Sequence, residues 1–211
     1  MSEPRIYTKL GDDGSTGLLF GGRTSKADPL IDTLGCIDET VAALGLARSN
    51  ATDRHLAAQI LQLQRDLFVA AADLAANPHA RDRLVPDVSL MTPAMTSRIE
   101  SLIDELVAQR PLRPVFVVPG ANPTSAALDL ARTILRRAER RLVADQAEPG
   151  SRQPASPHVR SYLNRASDLL YVLARHAADA EEPLSHDDPG ANAGEPSNTV
   201  STGPDRIGGD Q

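Results

Sequence analysis

Large apolar residues recur along this chain at intervals of three and four. Leu34, Ile37, Val41 and Leu44 trace one face of a 3.6-residue repeat; so do Leu56, Ile60, Leu63, Leu67 and Leu74, and then Ile99, Leu102, Ile103 and Leu106. Two later segments do the same: Leu128, Ile134, Leu135 and Leu142, and, beyond Pro157, Leu163, Leu169, Leu170 and Leu173. The repeats are interrupted at Pro29, Asn77-Pro78, Pro93, Pro111 to Pro114 and Glu148-Pro149-Gly150. This pattern predicts five helices. Val115 to Val118 alone reads as extended, and four residues are too few to organise a sheet. The expected fold is all-α, an up-and-down five-helix bundle with functional groups on facing helices and connecting segments.

Charge divides the chain unevenly. Residues 181–211 hold seven acids and one base, which accounts for the whole formal charge of -6, while residues 1–180 balance at 21 of each sign. The terminal stretch is rich in Pro, Gly, Ser and Asn, and its few large apolar residues cannot offset its ordering entropy. A disordered acidic tail is expected there, after one domain over 1–180. A balanced body with 3% aromatic residues does not fit a nucleic-acid binder. The sequence shows neither a signal peptide nor a bilayer-length apolar run, so a cytoplasmic protein without a membrane partner is expected. One cysteine, Cys36, excludes an intramolecular disulfide framework, and the five scattered histidines form no zinc-type pair.

Against that balance, Arg132 to Arg141 carries five arginines and one glutamate in ten positions. On a helix, Arg132, Arg136 and Arg140 stack at i, i+4 and i+8, with Glu139 beside them. Like charges at that spacing repel by a few tenths of a kcal/mol per pair. A polyphosphate or facing carboxylates would relieve the row; a solvated arginine face is the alternative.

The second chemically loaded segment runs from Tyr7 to Lys26, with five glycines and several hydroxyls that could bring backbone N–H groups close to phosphate. Its Lys9 and Lys26 are the chain's only lysines among 22 Lys and Arg residues. Two retained ammonium groups in one loop suit a phosphate point charge; chance clustering is the alternative. Gly17 to Thr24 approaches the phosphate-loop pattern, but Arg23 replaces its lysine and no strand precedes it. Asp12-Asp13-Gly14 lacks the spacing of a calcium loop. A serine hydrolase is unsupported because no G-x-S-x-G elbow occurs.

Five blocks, in order, resemble the corrinoid adenosyltransferases of the ATP:cob(I)alamin, PduO-like type: Tyr7 to Leu18, Gly35 to Glu39, Phe116 to Gly120, Ala131 to Arg140 and Tyr162 to Tyr171. The resemblance covers nearly the whole body and leaves out the tail. It implies a cobalamin adenosyltransferase-like five-helix bundle, assembled as a homotrimer with ATP at the subunit interfaces. It also implies transfer of the 5′-deoxyadenosyl group from ATP to the cobalt of a reduced corrinoid, with release of triphosphate. Cob(I)alamin is itself the nucleophile, so the protein supplies position and charge stabilisation. Mg²⁺, and K⁺ as a further cation, would accompany ATP, and no dedicated protein metal site is expected. A corrinoid reductase and an adenosylcobalamin-dependent enzyme are the implied partners. A noncatalytic trimer that binds ATP and corrinoid as a sensor or escort is the alternative function.

Residue by residue, the resemblance places Arg136 on the polyphosphate and pairs Arg132 with Asp38 across a subunit interface. Tyr7, Thr8, Lys9, Gly11, Gly14, Ser15, Thr16 and Lys26 match the nucleotide loop, and Asn164 matches an ATP-contacting asparagine. Arg140 and Glu139 accompany them. Glu139 could orient an arginine, join the metal shell, or pair within its own helix. Phe116 matches an aromatic that keeps the lower axial ligand off cobalt; from its apolar run alone it would be a core residue. The chain departs from the family pattern at Ala121, at His176-Ala177-Ala178, and in a tail without aromatics.

Overall fold

A computed structural model describes residues 7, 9–150, 153–178 and 182–186. The five expected helices are present as α1 (Pro29–Asn50), α2 (Arg54–Ala75), α3 (Pro93–Gln109), α4 (Pro123–Ala147) and α5 (His158–Ala177). Two of the prolines read as breaks, Pro29 and Pro93, begin helices instead, and Pro123 does the same; all three stand in first turns, where a missing N–H costs nothing. Side chains cap orphan donors at the starts of α1, α2 and α4. Asp28 Oδ1 accepts from Leu30 N at 2.9 Å, Asp53 Oδ1 from His55 N at 2.8 Å, and Asn122 Oδ1 from Ser125 N at 2.8 Å.

Cross-helix contacts fix the directions. Arg141 reaches Asp32 and Arg137 reaches Glu39, so α1 and α4 are antiparallel. Asp129 meets Arg175 while Glu139 meets Asn164, so α4 and α5 are antiparallel too. Asp73 binds Met91 N and Asp66 binds Arg98, which runs α3 against α2. Direction therefore alternates along the chain, as expected for an up-and-down bundle. Not every neighbour in space is a neighbour in sequence, however: α4 packs most extensively on α1, and α3 lies against α5. Leu44, Leu67, Leu128, Leu135, Leu163 and Leu170 are fully buried at the centre. Each contributes about 2 kcal/mol by leaving water.

Polar groups inside the core hold the connections in place. Asp73 is 1% exposed and accepts from Met91 N and Ser156 N, both at 3.0 Å, so it ties the 76–92 and 148–157 links to α2. Burial raises its pKa above the ordinary carboxylate value despite those bonds. Asp66 accepts two bonds from Arg98, at 2.9 and 2.8 Å, and one from the fully buried Tyr162 hydroxyl at 2.8 Å. Burial first, and then the Asp66 carboxylate, push the Tyr162 pKa well up.

One expectation needs correction. The glycine-rich segment is not simply a loop: β1 (Ser15–Gly17) and β2 (Arg23–Ser25) form an antiparallel hairpin with Thr16 opposite Thr24. It escaped the apolar pattern because its strands carry Ser, Thr and Arg; its turn is made by Gly21 and Gly22 at φ 96° and 83°. Glu182 to His186 are described, with Val117 and Leu184 forming an antiparallel bridge and Glu182 buried. A salt bridge and backbone pairing supply what apolar content lacks there. Residues 187–211 lie outside the described residues, and so does the expected boundary at 180.

Candidate active site

The arginine row of α4 divides by direction. Arg137 pairs with Glu39 of α1, and its Nε lies 3.4 Å from the Cys36 sulfur. Arg141 Nη1 sits 2.6 Å from Asp32 and 2.9 Å from the same sulfur. The sulfur first, and then Glu39, hold the Arg137 pKa above its ordinary value. These two arginines are committed to α1. On the other flank, Arg132 and Arg136 line a cleft of about 650 Å³ between α3, α4 and α5, together with Glu100, Asp104, Arg165, Asp168 and Tyr171.

Arg132 is half-buried. Its Nε lies 3.5 Å from Asp129 Oδ1 one turn away, and its guanidinium stands 5.7 Å from the Tyr171 ring centroid, within cation–π reach. Arg136 is exposed and makes no ion pair among the described residues, and the same holds for Arg140. The third cleft arginine, Arg165, is engaged by Glu100 at 3.1 Å and Asp168 at 2.9 Å. Glu139 accepts from Asn164 Nδ2 at 3.0 Å, so its partner is neither Arg136 nor Arg140. That bond orients the asparagine on the outer face of α5, next to the free arginines. Asp38 is exposed and meets no arginine among the described residues.

The hairpin is built for close approach of backbone. Lys26 Nζ donates to Gly11 O at 2.8 Å and closes the segment into a ring. A Cβ on Gly11 would meet Lys26 Nζ and Ser15 O at 3.2 Å. Gly14 has φ 83°, which an L side chain rarely adopts. Ser15 donates its N–H and its hydroxyl to Asp13 Oδ1, at 2.9 and 2.7 Å, and accepts from Arg23 Nε at 2.9 Å. The bonds from Ser15 hold the Asp13 pKa below its ordinary value. Tyr7 and Lys9 are exposed, Thr16 is half-buried in the first strand, and Thr8 lies outside the described residues. Leu19 anchors the hairpin to the end of α2, donating to Ala75 O and accepting from Asn77 N, both at 2.9 Å. No described hydrogen bond or ion pair joins this hairpin to Arg136, Glu139 or Asn164. One chain thus carries two separate groups of the expected nucleotide contacts.

Phe116 is 85% exposed, so it is not the core residue that its apolar run would suggest. Half-exposed Val115 and Val118 flank it. The run forms no strand but a single bridge at Val117, and its partner comes from the far end of the chain: Val118 N donates to Pro183 O at 2.7 Å and Ser185 N to Phe116 O at 2.9 Å. Beneath it lies a group that the sequence reading missed. Arg175, Asp129 and Glu182 are all buried; Arg175 pairs with Asp129 and holds Glu182 Oε2 at 2.8 Å. Burial raises the Glu182 pKa in spite of Arg175. The available signal was an arginine among Leu170, Leu173 and Ala174 and an aspartate between Leu128 and Leu130, charges where the helical repeat calls for core. His176, one of the departures from the family pattern, bonds the Leu106 carbonyl at 2.8 Å.

Fold and site together define a helical bundle with Arg136 and Arg140 of α4 unpaired among the described residues and, apart from them within one chain, a glycine-rich hairpin. The chain belongs to the cobalamin adenosyltransferase family, whose model matches residues 6–177. It is 38% identical over 186 residues to a corrinoid adenosyltransferase of Mycobacterium leprae, covering 85% of this chain and 94% of that one. A corrinoid adenosyltransferase of Citrobacter freundii is 36% identical over 171 residues, covering 81% and 93%. Among solved structures, a phenylalanine-to-alanine variant of a PduO-type ATP:corrinoid adenosyltransferase from Lactobacillus reuteri, complexed with cobalamin and ATP, superposes with a TM-score of 0.74. That match has 30% identity and covers 85% of this chain and 98% of the other.

Proposed function

We propose that this chain transfers the 5′-deoxyadenosyl group of ATP to the cobalt of a reduced corrinoid and releases triphosphate. The observation that carries this reading is Arg136. It is an exposed guanidinium that meets no carboxylate among the described residues, on a helix whose Arg137 and Arg141 are both engaged by α1. Attack by cobalt(I) on C5′ forms the carbon–cobalt bond and sends the electron pair of the C5′–O bond to the triphosphate. Negative charge therefore grows on the leaving group, and a preoriented guanidinium lowers the barrier there. Arg140 and Asn164 stand beside it, with Asn164 held by Glu139.

The hairpin residues Tyr7, Lys9, Gly11, Gly14, Ser15, Thr16 and Lys26 surround the nucleotide in this reading, as would Thr8. Lys26 uses one of its three donors on Gly11 O and keeps two for phosphate. The lack of a described bond between hairpin and arginines within one chain supports a shared site, with the hairpin of one subunit facing the α4 face of the next. Exposed Asp38 then meets Arg132 across the boundary, in a homotrimer. No group of three or more metal-ligating side chains occurs among the described residues. Mg²⁺ fits such a site because it binds chiefly through substrate phosphates, water and one or two carboxylates, and Glu139 is the carboxylate at hand. K⁺ would share the charge of the polyphosphate. Phe116, exposed and beside the cleft-forming helices, would meet the corrinoid and exclude its lower ligand. A reductase that supplies cobalt(I) and an enzyme that uses the adenosylated product complete the setting, in the cytoplasm. Among the described residues no helix is long and apolar enough to cross a membrane.

The test is anaerobic. Cob(I)alamin, and in parallel cob(I)yrinic acid a,c-diamide, is mixed with ATP and Mg²⁺, and the spectrum is followed for the adenosylated corrinoid while free triphosphate is measured. Stoichiometric product and triphosphate are expected with at least one acceptor. ATP binding without product from either acceptor would replace this reading with the noncatalytic sensor or escort.

A further inference from the structure

The link between α3 and α4 covers residues 110–122, and its middle carries the most exposed large apolar side chain of the described residues, Phe116. An exposed phenylalanine has no packing of its own to fix its position, so its position depends on its backbone. Two hydrogen bonds set that backbone, one from Val118 N to Pro183 O and one from Ser185 N to Phe116 O. Both lead to the strap of residues 182–186, which reaches Phe116 from beyond the end of α5.

The strap is itself secured at one end. Glu182 adjoins the bridging residues and is buried against Arg175, which also pairs with Asp129 of α4. Arg110, at the start of the same link, donates to Arg175 O at 2.7 Å and Ala178 O at 3.2 Å. Buried charges so arranged hold tightly, because separating any one of them strands another without water. A buried, ion-paired anchor therefore sits within a few residues of a side chain that is itself exposed.

We propose that Glu182 and the strap it anchors are positioning elements that hold Phe116 where the corrinoid must meet it. The inference rests on the adenosyltransferase reading for the identity of that ligand. Binding of cob(II)alamin in its four-coordinate form requires the aromatic in one place, and loss of the strap lets the 115–118 run move.

Ser185→Pro removes one strap N–H and little else, since Ser185 is exposed and its neighbour Leu184 is already extended. Ser185→Ala keeps the N–H and serves as its control. Glu182→Ala removes the anchor. In the full chain with ATP present, Ser185→Pro is expected to lower the yield of four-coordinate cob(II)alamin about five- to tenfold, the size of one hydrogen bond. Glu182→Ala is expected to lower it further, with KM for ATP within about twofold of the parent for Ser185→Pro. Amide exchange at Val118 should accelerate in both variants and stay at the parental rate in Ser185→Ala. A parent that makes adenosylated corrinoid while Ser185→Pro matches it in corrinoid spectrum or in Val118 exchange overturns this inference alone. A parent that makes none overturns the adenosyltransferase reading together with the corrinoid part of this one.

Discussion

Arg136 and Arg137 are adjacent in sequence, on one helix, with the same chemistry, and they have opposite circumstances. Arg137 turns toward α1, where Glu39 and the Cys36 sulfur receive it. Arg136 turns toward the cleft, where no described carboxylate engages it. A third arginine, Arg175, represents the extreme of commitment, buried between Asp129 and Glu182. A guanidinium that already has a carboxylate offers little further charge to a ligand, so the unpartnered one marks the place for an anion. The basic row is thus two rows, one that holds helices together and one that is open to substrate.

That division can be broken at its most buried member first. Arg175→Ala leaves two buried carboxylates facing each other, and urea unfolding is expected to show a loss of about 3–5 kcal/mol. At the free member the effect moves from stability to rate. Arg136→Ala is expected to lower kcat/KM about a hundred- to a thousandfold in the anaerobic assay, with the unfolding free energy within about 0.5 kcal/mol of the parent. A fully active Arg136→Ala protein would defeat its role on the triphosphate. The committed pair on α1 should give the smallest response. Both side chains are substantially exposed, 40% for Arg137 and 57% for Glu39, so a double-mutant cycle on Arg137→Ala and Glu39→Ala should return a coupling below about 1 kcal/mol. Turnover equal to that of Arg136→Ala in either single variant would erase the distinction between the two flanks.

The five helices were legible because each buries a wide apolar stripe, and a 3.6-residue repeat survives in the sequence whatever it packs against. Their alternating direction followed from bundle logic. Their adjacency did not: nothing in the repeats shows that α4 lies on α1, because apolar faces are interchangeable in sequence. The hairpin was legible as a glycine segment but not as strands, since two three-residue strands of polar residues give no period-2 signal. Arg136 was legible only as one of five. Its separation from Arg137 and Arg141 depends on Asp32 and Glu39, about a hundred positions earlier in the chain. The anchor under Phe116 was hidden because Glu182 belongs to a stretch whose composition speaks for disorder, and a single buried ion pair is too small a term to register there. Asp66 and Asp73 could have been found: they occupy the apolar stripe of α2 between Leu63, Leu67 and Leu74, where an acid needs a buried partner.

The packing of α1 on α4 also has a consequence for how the protein is made. Cys36 and Arg141 touch across 105 positions of chain, and at roughly 5–20 residues per second a ribosome needs roughly 5–20 s to deliver the second after the first. During that interval α1 has α2 beside it and nothing on its α4 side. The nascent hairpin of α1 and α2 is therefore the species with the longest unfinished core. Substitutions along the Asp32, Cys36 and Glu39 edge are expected to act on the yield of folded chains during synthesis more than on the finished protein.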